Sequence, residues 1–577
     1  APPWKGRAAL ASTLRISPVV AQVLHNRGID DAVAARQFFK PSAADLIAPE
    51  LLPGATVAAE RIAQAIELKQ RVVIFGDYDV DGITGVAILW HCLKLAGLDA
   101  QFYIPRRLEE GYGINAEAIE TLARDGAQLM ITVDCGVTAI EQARRAKELG
   151  IDLIITDHHA PRIGGDGKFD LPDAIIVHPM LDVAGQERYA NPHLSGSGVA
   201  LKLAWAIAQR VSRSEKVLPE FREFLVDAMG LAALGIIADV VPLLGENRII
   251  ASHGLSGLPA TRQVGLQALI QSAGLTGKKV DGYDVGFKLA PRLNAIGRMG
   301  HALLAVEMLT RASQEEAQHI ARVLEGHNRD RQALDRKIAI EAREMVRATG
   351  QDDESVRAIV LASPGWHAGV IGIVASRIVE EFGRPAVLIA IENGLGQGSA
   401  RSLKCFPLHE ALAACGEHLT THGGHAMAAG LRIESAKIDA FREAFQAYAA
   451  KKLSSVNLRE RMQLDDVVQL AQLDAQLVAD LQKLEPFGVG NPSAKLATDW
   501  LEVVGEPRTV GNGNQHLQVV LKNGRGQCKG IAFGQGGLKQ TLLDHRRCRV
   551  AFTPIINEWN GRTSIEMQIA DFQFPEK

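Results

Sequence analysis

The sequence predicts an α/β protein with two α/β domains joined by a long helix and followed by a C-terminal β-barrel of the OB type. Three observations predict this architecture. Apolar strand candidates alternate with helix candidates from Thr56 and again from about residue 356. A long charged stretch separates these regions, and evenly spaced short strand candidates follow Ser454. The predicted parts are a helical arm (1–55), a first α/β domain (56–312), a connecting helix (313–350), a second α/β domain (351–453) and a β-rich domain (454–577).

Composition is typical of a folded globular protein. The length of 577 residues favours several domains. The hydrophobic share of 47% and the charged share of 22% are ordinary for a soluble globular protein. The formal net charge of -3 means that any nucleic-acid binding must depend on local basic patches. Six cysteines form no CxxC pair, which argues against a zinc knuckle and against a dense disulfide framework, so we expect a reducing cytoplasm. No apolar run reaches the roughly 18 residues of a membrane span, and the start lacks a signal-peptide core, so we expect a soluble protein that is not exported.

The N-terminal arm has helix-like spacing in VAQVLHNRGI and DDAVAARQFF. Pro-containing stretches separate these segments from the first α/β domain. No catalytic chemistry is assigned to residues 1–55.

The first α/β domain alternates strand and helix candidates. An amphipathic segment up to Lys69 precedes the strand candidate 71–76 and the helix candidate GVAILWHCLKLAG. The strand candidates QFYI, QLMITV, DLIIT and AIIV come next, with AEAIETLARDG and AIEQARRAKELG as helix candidates between them. This order is typical of a doubly wound parallel sheet.

Polar side chains come directly after three of these strand candidates. They are Asp77, Asp79, Asp81, Asp134, Asp157, His158 and His159. Because the carboxyl ends of parallel strands meet at one edge, we expect these side chains to converge on one crevice. Short oxygen ligands suit Mg²⁺ and Mn²⁺, so a divalent cation would balance the carboxylates. A solvated acidic turn is the alternative for GDYDVDG taken alone.

Three further segments have open interpretations. Asp239 follows the apolar stretch MGLAALGIIA and is either a metal ligand or a helix cap. The Gly/Ser turn in LSGSGVALKLAWAIA (194–208) either presents backbone N–H groups to an anion or permits tight helix packing. Residues 284–300 are expected to place Arg292, Asn294 and Arg298 in a loop.

The stretch from about Ser313 to Thr349 predicts a solvated helical connector. After it, the strand candidates AIVLAS and PAVLIAI precede two Gly-rich segments, GQGSARS and THGGHAMAAG. Their glycines would let a backbone approach a ligand while Ser399, Arg401 and His425 supply donors for a phosphate. The alternative is a Gly-rich hairpin with incidental polar residues.

The C-terminal part opens with predicted helices between Asp465 and Leu484 and continues with short strand candidates. Regular short strands predict a small barrel of the OB type. Its Phe533 and Trp559 could stack on bases, and neighbouring Lys and Arg residues could follow phosphates. The aromatic residues could equally belong to the core.

The ordered motifs GDYDVDG, VDCG, TDHH and IADVVPL resemble those of the DHH phosphoesterase family, and GSARS with GGHAMAAG resembles its DHH-associated domain. With PRLNAIGR, the connecting helix and the barrel, the chain from about residue 15 resembles the single-strand-specific exonucleases of this family. The resemblance implies a catalytic domain at 56–312, a substrate-binding domain at 351–453 and a nucleic-acid-binding OB-fold at 454–577. It also implies a 5′→3′ exonuclease that uses two Mn²⁺ or Mg²⁺ ions to release 5′-mononucleotides from single-stranded DNA, in DNA repair and recombination.

The resemblance also assigns roles to residues. The implied metal ligands are Asp77, Asp79, Asp81, Asp134, His158 and Asp239. Asp134 is implied to bridge the two ions, and His159 is implied to face the scissile phosphate. Asp157 is implied to orient a histidine, while Asp77 has a less defined role near the site.

Substrate phosphates are implied to contact Ser399, Arg401 and His425. The 5′ end is implied to contact Arg298 or Arg292. His178 stands where the family pattern has asparagine before the proline.

Two other functions remain open from sequence. One is a phosphodiesterase for short oligonucleotides or cyclic dinucleotides, against which the long N- and C-terminal additions count. The other is an inactive scaffold in a replication assembly, against which the complete set of metal carboxylates counts. The resemblance suggests single-stranded DNA, a single-strand-binding protein and a helicase as partners, and we expect a monomer that does not bind membranes.

Overall fold

The structure is a computed structural model of the chain. It describes residues 3–106, 110–111, 113–182, 187–299, 302–454, 462–524, 526–559 and 562–575. It contains two α/β domains, a connecting helix and a C-terminal β-sheet domain, which confirms the predicted fold class. Among the described helices, none is both long and apolar enough to cross a membrane.

The N-terminal arm consists of α1 (Arg7–Leu14), α2 (Pro18–Asn26) and α3 (Ala32–Phe39). It packs against the C-terminal domain in one hydrophobic core, a contact that the sequence did not predict. The backbone N–H of Ser17 donates to Asp480 at 2.9 Å, and Asn26 Nδ2 donates to the Asp465 carbonyl at 2.9 Å. The first and last parts of the chain therefore form one unit.

The first α/β domain is built on a five-stranded parallel sheet in the order β2-β1-β3-β4-β7. The strands of this domain are β1 (Val72–Gly76), β2 (Gln101–Tyr103), β3 (Leu129–Val133), β4 (Asp152–Thr156), β5 (Arg162–Ile163), β6 (Phe169–Asp170) and β7 (Ile175–Val177). Its helices are α4 (Ala55–Glu67), α5 (Val80–Leu95), α6 (Ala116–Arg124), α7 (Ile140–Glu148), α8 (Gly196–Ser212), α9 (Pro219–Ala238), α10 (Gly245–Gly257), α11 (Val264–Ser272), α12 (Gly282–Asp284), α13 (Ala290–Met299) and α14 (Leu303–Thr310).

Alternate residues of β1 enter different cores, as the two-residue period of a strand requires. Ile74 packs in the core that includes α4, α5 and α8. Val73 and Phe75 pack in the core that includes α6 and α7. Helices thus cover both faces of the sheet, and its carboxyl edge remains as the place for polar groups.

The expected loop at 284–300 is wrong, because this segment is helical in the described residues. A π-helical turn (Val285–Leu289) joins α12 to α13. Asp281 forms a capping box with Asp284, and Leu293 and Ile296 are buried. Proline has no backbone N–H to donate within a helix. The wider π-helical turn just before Pro291 tolerates this missing hydrogen bond, so the chain stays helical.

The connecting helix α15 (Gln314–Ala348) begins with a Ser313–Glu316 capping box. The second α/β domain contains β8 (Ile359–Ser363), α16 (Ala368–Phe382), β9 (Ala386–Glu392), β10 (Leu395–Arg401), α17 (Leu408–Ala414), β11 (Thr421–Gly424), β12 (Ala428–Glu434) and α18 (Ile438–Lys452). Its sheet has the order β11-β12-β10-β9-β8. The two Gly-rich segments therefore lie in and beside antiparallel strands.

The C-terminal domain contains β13 (Asp466–Val468), α19 (Ala475–Gln482), β14 (Leu496–Thr498), β15 (Leu501–Val510), β16 (His516–Asn523), β17 (Gly526–Ala532), α20 (Lys539–His545), β18 (Arg547–Trp559) and β19 (Arg562–Gln573). The seven strands form one sheet in the order β13-β14-β18-β15-β16-β17-β19, and β18 also pairs with β19. The start of this domain differs from the prediction. A strand replaces the first expected helix because Asp466–Val468 pairs in parallel with β14.

Candidate metal centre

The carboxyl edge of the first sheet gathers the predicted acidic and histidine residues. An aspartate directly follows the last residue of three strands: Asp77 follows β1, Asp134 follows β3 and Asp157 follows β4. Among the residues that the structure describes, three groups of side chains place candidate ligand atoms within 4.8 Å of one another. The groups are Asp77–Asp79–Asp134, Asp81–His158–Asp239 and Asp134–His158–His159. The predicted crevice is therefore present, and Asp239 belongs to it in addition to capping the C-terminus of α9.

His158 Nε2 provides the test of whether these residues fit a cation. This buried atom forms no hydrogen bond with any described residue. It lies 3.1 Å from Asp134 Oδ1, 3.6 Å from Asp239 Oδ2 and 3.8 Å from Asp81 Oδ2. A buried imidazole nitrogen surrounded by carboxylate oxygens matches the mixed ligand set of Mn²⁺ or Mg²⁺.

Asp81 is oriented by the amino end of α8. The backbone N–H groups of Gly196 and Ser197 donate to its carboxylate at 2.6 and 2.9 Å, and Ser195 Oγ donates at 3.0 Å. The Gly/Ser turn therefore presents N–H groups to an anion, and that anion is a carboxylate of the protein itself.

Two glycines make room for these carboxylates, a role that the sequence did not predict for either of them. A Cβ at Gly196 would lie 2.6 Å from Asp134 Oδ1. A Cβ at Gly235 would lie 2.2 Å from both Asp81 Oδ1 and Ser197 Oγ. The GSG turn indicates an anion-binding role near Gly196, whereas Gly235 lies in the apolar stretch MGLAALGIIA, where a glycine usually indicates only close helix packing.

Asp79 caps α5 and so has a fixed position beside the crevice. Its Oδ1 accepts from the N–H groups of Asp81 at 3.0 Å and Gly82 at 3.3 Å. This is the usual N-cap arrangement, and it makes the last three residues of GDYDVDG the first turn of α5. A solvated acidic turn is therefore not what the stretch forms.

The backbone is strained at two positions next to the candidate ligands. Asp134 has φ 63° and Val240, directly after Asp239, also has φ 63°. The left-handed region is unfavourable for a β-branched residue such as valine. Such strain is typical of functional sites, where the surrounding structure maintains it.

The electrostatics of the crevice favour a bound cation. Burial, together with the charges of Asp81 and Asp79, raises the pKa of Asp239 to about 8. The same causes raise the pKa of Asp134 well above its ordinary range, and burial together with Asp81 raises the pKa of Asp79. Burial lowers the pKa of His158 and keeps its imidazole neutral, as a metal ligand requires.

Asp157 and His159 form a pair at the same edge. Asp157 Oδ1 lies 2.7 Å from His159 Nδ1, and its Oδ2 accepts from the N–H of Val137 at 2.9 Å. Burial alone would raise the pKa of Asp157, but the hydrogen bond and charge of His159 lower it to about 2. Conversely, burial would lower the pKa of His159, but Asp157 raises it to about 9.

His178 forms a hydrogen bond with the backbone of His159. Its Nδ1 accepts from the N–H of Met180 at 3.1 Å, so Nε2 carries the proton and donates to the His159 carbonyl at 2.8 Å. Burial lowers the pKa of His178, in agreement with a neutral ring. His178 thus fixes the backbone of His159.

The predicted phosphate-binding residues lie in the second α/β domain. Arg401 Nη1 donates to Ser399 Oγ at 3.1 Å, and both side chains face Gly372 of α16, where a Cβ would lie 2.8 Å from Ser399 Oγ. His425 lies between β11 and β12, exposed, near the point where Ala428 pairs with Arg401. Ser399 and Arg401 thus form a polar pair beside α16.

The helix α13 joins the metal edge to this second domain. A Cβ at Gly297 would lie 2.9 Å from the carbonyl oxygen of Tyr78, between Asp77 and Asp79 in sequence. One residue later, Arg298 Nη1 donates to the Gly369 carbonyl at the start of α16, at 3.0 Å. Arg298 therefore lies between the two predicted sites.

Arg292 points to a different environment. Its Nε lies 2.7 Å from Glu325 Oε2 of the connecting helix, and its Nη1 donates to the Lys288 carbonyl at 2.6 Å. The structure gives it an anchoring role between α13 and α15.

Comparisons with known proteins agree with this arrangement. Three family models match the chain: the DHH family N-terminal domain at residues 71–236, the DHHA1 domain at 355–451 and the RecJ OB domain at 464–571. The single-stranded-DNA-specific exonuclease RecJ of Bacillus subtilis is 38% identical over 98% of this chain and 69% of its own length.

Two solved structures are similar over the whole chain. RecJ of Thermus thermophilus in complex with Mn²⁺ has a TM-score of 0.83 at 32% identity and is matched over 79% of its length. The same protein in complex with Mg²⁺ has a TM-score of 0.77 at 31% identity and is matched over 78%.

Proposed function

The chain belongs to the RecJ family of single-stranded-DNA-specific exonucleases, and from this membership we infer that it hydrolyses single-stranded DNA with the help of divalent cations. The observation that carries this function is the convergence of five carboxylates and His158 on one sheet edge. An inactive scaffold would not need to maintain so much buried negative charge, since each carboxylate is costly without a partner.

We assign the two cations to the three ligand groups. Asp134 belongs to two of these groups, which supports a bridging position, and Asp77 belongs to one of them. The residues that would hold the ions are Asp77, Asp79, Asp81, Asp134, His158 and Asp239. When bound, Mn²⁺ or Mg²⁺ would lower the pKa of a water nucleophile and neutralise the negative charge that develops on the oxygens of the scissile phosphate.

The protein's own groups would position the substrate for this attack. Because Asp157 binds Nδ1 of His159, we assign Nε2 of His159 to an oxygen of the scissile phosphate. Ser399, Arg401 and His425 would bind the substrate phosphates from the second domain. Since Arg292 is paired with Glu325, we assign contact with the 5′ end to Arg298.

This placement supports a 5′→3′ direction and release of 5′-mononucleotides. A 5′-terminal phosphate bound between Arg298 and Arg401 would place the first phosphodiester bond toward the metal edge. A crevice between two α/β domains would admit one strand and exclude a duplex by its width.

We further propose the biological setting from family membership. The protein would act in DNA repair and recombination in the cytoplasm, as a monomer that works with a single-strand-binding protein and a helicase. The predicted domain limits, with catalysis at 56–312, substrate binding at 351–453 and an OB-fold at 454–577, are part of this proposal.

The test is nuclease activity of Asp134→Asn on single-stranded DNA with Mn²⁺. We expect a loss of at least ~100-fold, because removing a bridging carboxylate removes charge from both ion positions. Asp152→Asn is the matched control, since Asp152 is exposed at the opposite end of β4 and pairs with Arg61. Full activity of Asp134→Asn would overturn the assignment.

A further inference from the structure

A cavity of about 1630 Å³ begins beside the metal edge and is lined by residues from every part of the fold. Ala238 and Val240, the neighbours of Asp239, line it together with Arg298. Phe487 and Lys495 of the C-terminal domain line it as well. This volume exceeds the roughly 300–1,000 Å³ of small-molecule sites, which favours a polymer as its occupant.

The charge of the cavity wall differs from that of the whole chain. Seven Lys and Arg side chains line the cavity against four Asp and Glu side chains, whereas the chain has a formal net charge of -3. The basic residues include Arg331 and Arg336 of the connecting helix and Arg377 of α16. This is the local basic patch that a phosphate backbone requires.

Two exposed aromatic side chains lie on this basic wall. Tyr283 is 63% exposed and Phe287 is 68% exposed, although large aromatic side chains usually bury most of their surface. Their rings stack on each other, with centroids 4.7 Å apart and planes 27° from parallel. A preformed aromatic stack beside arginines is the arrangement by which proteins hold single-stranded bases regardless of sequence.

The backbone around this pair is fixed. The capping box of Asp281 and Asp284 begins α12, and Lys288 Nζ forms an ion pair with Asp284 at 2.6 Å. A Cβ at Gly282 would lie 2.9 Å from the Phe487 carbonyl, so the segment also rests against the C-terminal domain. Such anchoring would keep the two rings in place without a ligand, which lowers the entropic cost of binding.

We propose that Tyr283 and Phe287 form a base-stacking platform for the part of the single strand that extends beyond the metal centre. The platform guides the strand from the metal edge toward the C-terminal domain and holds it between successive cleavages. This role rests on the proposed function, because it takes the single strand as the substrate. It adds a contact for the bases, whereas Ser399, Arg401 and His425 are assigned to phosphates.

The test measures binding of a fluorescent 30-nucleotide oligothymidylate in EDTA, by anisotropy. We expect the double variant Tyr283→Ala/Phe287→Ala to bind about tenfold or more weakly, since loss of base–aromatic stacking has effects of that order. The variant Tyr283→Phe/Phe287→Tyr should restore binding because it retains both rings. Leu68→Ala is the control, since Leu68 is 62% exposed just before the amino end of β1, on the far side of the sheet from the metal edge.

Degradation with Mn²⁺ gives a second readout. The alanine variant should lose more kcat/KM on the 30-mer than on a 5′-phosphorylated trinucleotide, because the short substrate has few bases to stack. An equal loss on both substrates, or unchanged binding of the 30-mer, would overturn the platform. A shift from dimer to monomer in sedimentation with unchanged DNA affinity would also overturn it and would assign the rings to self-association.

Failure of the platform can be distinguished from failure of the proposed function. If the wild-type protein binds the 30-mer through these rings but does not degrade it, the exonuclease function fails and the platform stands. If the wild-type protein does not bind the 30-mer, the platform is overturned as well.

Discussion

Gly235 shows how strongly the metal centre depends on residues that carry no chemistry. A Cβ at this position would lie 2.2 Å from Asp81 Oδ1, much closer than a non-bonded carbon–oxygen contact allows. Asp81 is held at this place by two backbone N–H groups and cannot move away without losing them. The carboxylate and the glycine are therefore one structural unit.

We predict that Gly235→Ala abolishes metal-dependent activity. The extra methyl group must displace Asp81 or shift α9, at a cost of about 1–3 kcal/mol for overpacking. Isothermal titration with Mn²⁺ should show at least tenfold weaker binding. Gly257→Ala is the matched control in α10, because an added Cβ there has no neighbour within 4 Å; equal Mn²⁺ affinity in both variants would refute the coupling of Gly235 to Asp81.

The raised pKa of Asp239 predicts how stability depends on pH in the metal-free protein. Its pKa is about 8 in the folded state, against about 4 in the unfolded chain. Between these values the folded state holds a proton that the unfolded state has released, so the free energy of unfolding falls as the pH rises from about 4 to 8.

Asp239→Asn should remove this part of the pH dependence. Its Tm in EDTA should fall less than that of the wild-type protein between pH 5 and 8. Saturating Mn²⁺ should raise the wild-type Tm more at pH 8 than at pH 5, because the cation competes with the proton. Parallel Tm curves for the two proteins in EDTA would contradict the assignment of Asp239 to the crevice.

At the scale of elements, α13 connects the metal edge to the second α/β domain. Its Gly297 packs on the Tyr78 carbonyl and its Arg298 reaches the start of α16, while Arg292 binds the connecting helix. Two arginines on one helix thus have different neighbours and should have different functions.

We predict that Arg298→Ala and Arg292→Ala separate recognition from stability. Arg298→Ala should reduce the preference for a 5′-phosphorylated strand over a 5′-hydroxyl strand by ~10-fold, with a smaller change in Tm. Arg292→Ala should keep that preference and lose roughly 1–3 kcal/mol of stability, because it removes the 2.7 Å ion pair of the partly buried Glu325 and leaves the longer 3.5 Å pair with Arg329. Competition between the two strand types and chemical unfolding measure these effects; the reverse pattern would exchange the two roles.

The sequence predicted the elements whose signals are local. Apolar strands ending in Asp or His indicated the parallel sheet and its polar edge, because the strand period and the order of elements determine which edge they share. The prediction of a loop at 284–300 is wrong, because proline and glycine usually mark turns, whereas here packing and a π-helical turn keep the segment helical. The sequence also could not predict that the Gly/Ser turn binds Asp81, because Asp81 and Gly196 are far apart in sequence.

At the scale of the whole molecule, the N-terminal arm shares a core with the C-terminal domain. Arg7 forms an ion pair with Asp466 at 3.4 Å across this contact, and Ser17 binds Asp480. No local pattern in residues 1–55 indicates such a long-range contact, so the position of the arm could not be predicted from the sequence. Phe39 of the arm and Phe487 of the C-terminal domain both line the cavity beside the metal edge.

The measurement that tests the exonuclease function most directly is digestion of a long single strand labelled at one end, with Mn²⁺ or with EDTA. We predict that a 5′ label is released at once as a mononucleotide, that a 3′-labelled strand shortens stepwise, and that EDTA stops both. Release of the 3′ label first, internal cleavage, or cleavage of only di- to pentanucleotides would contradict this function.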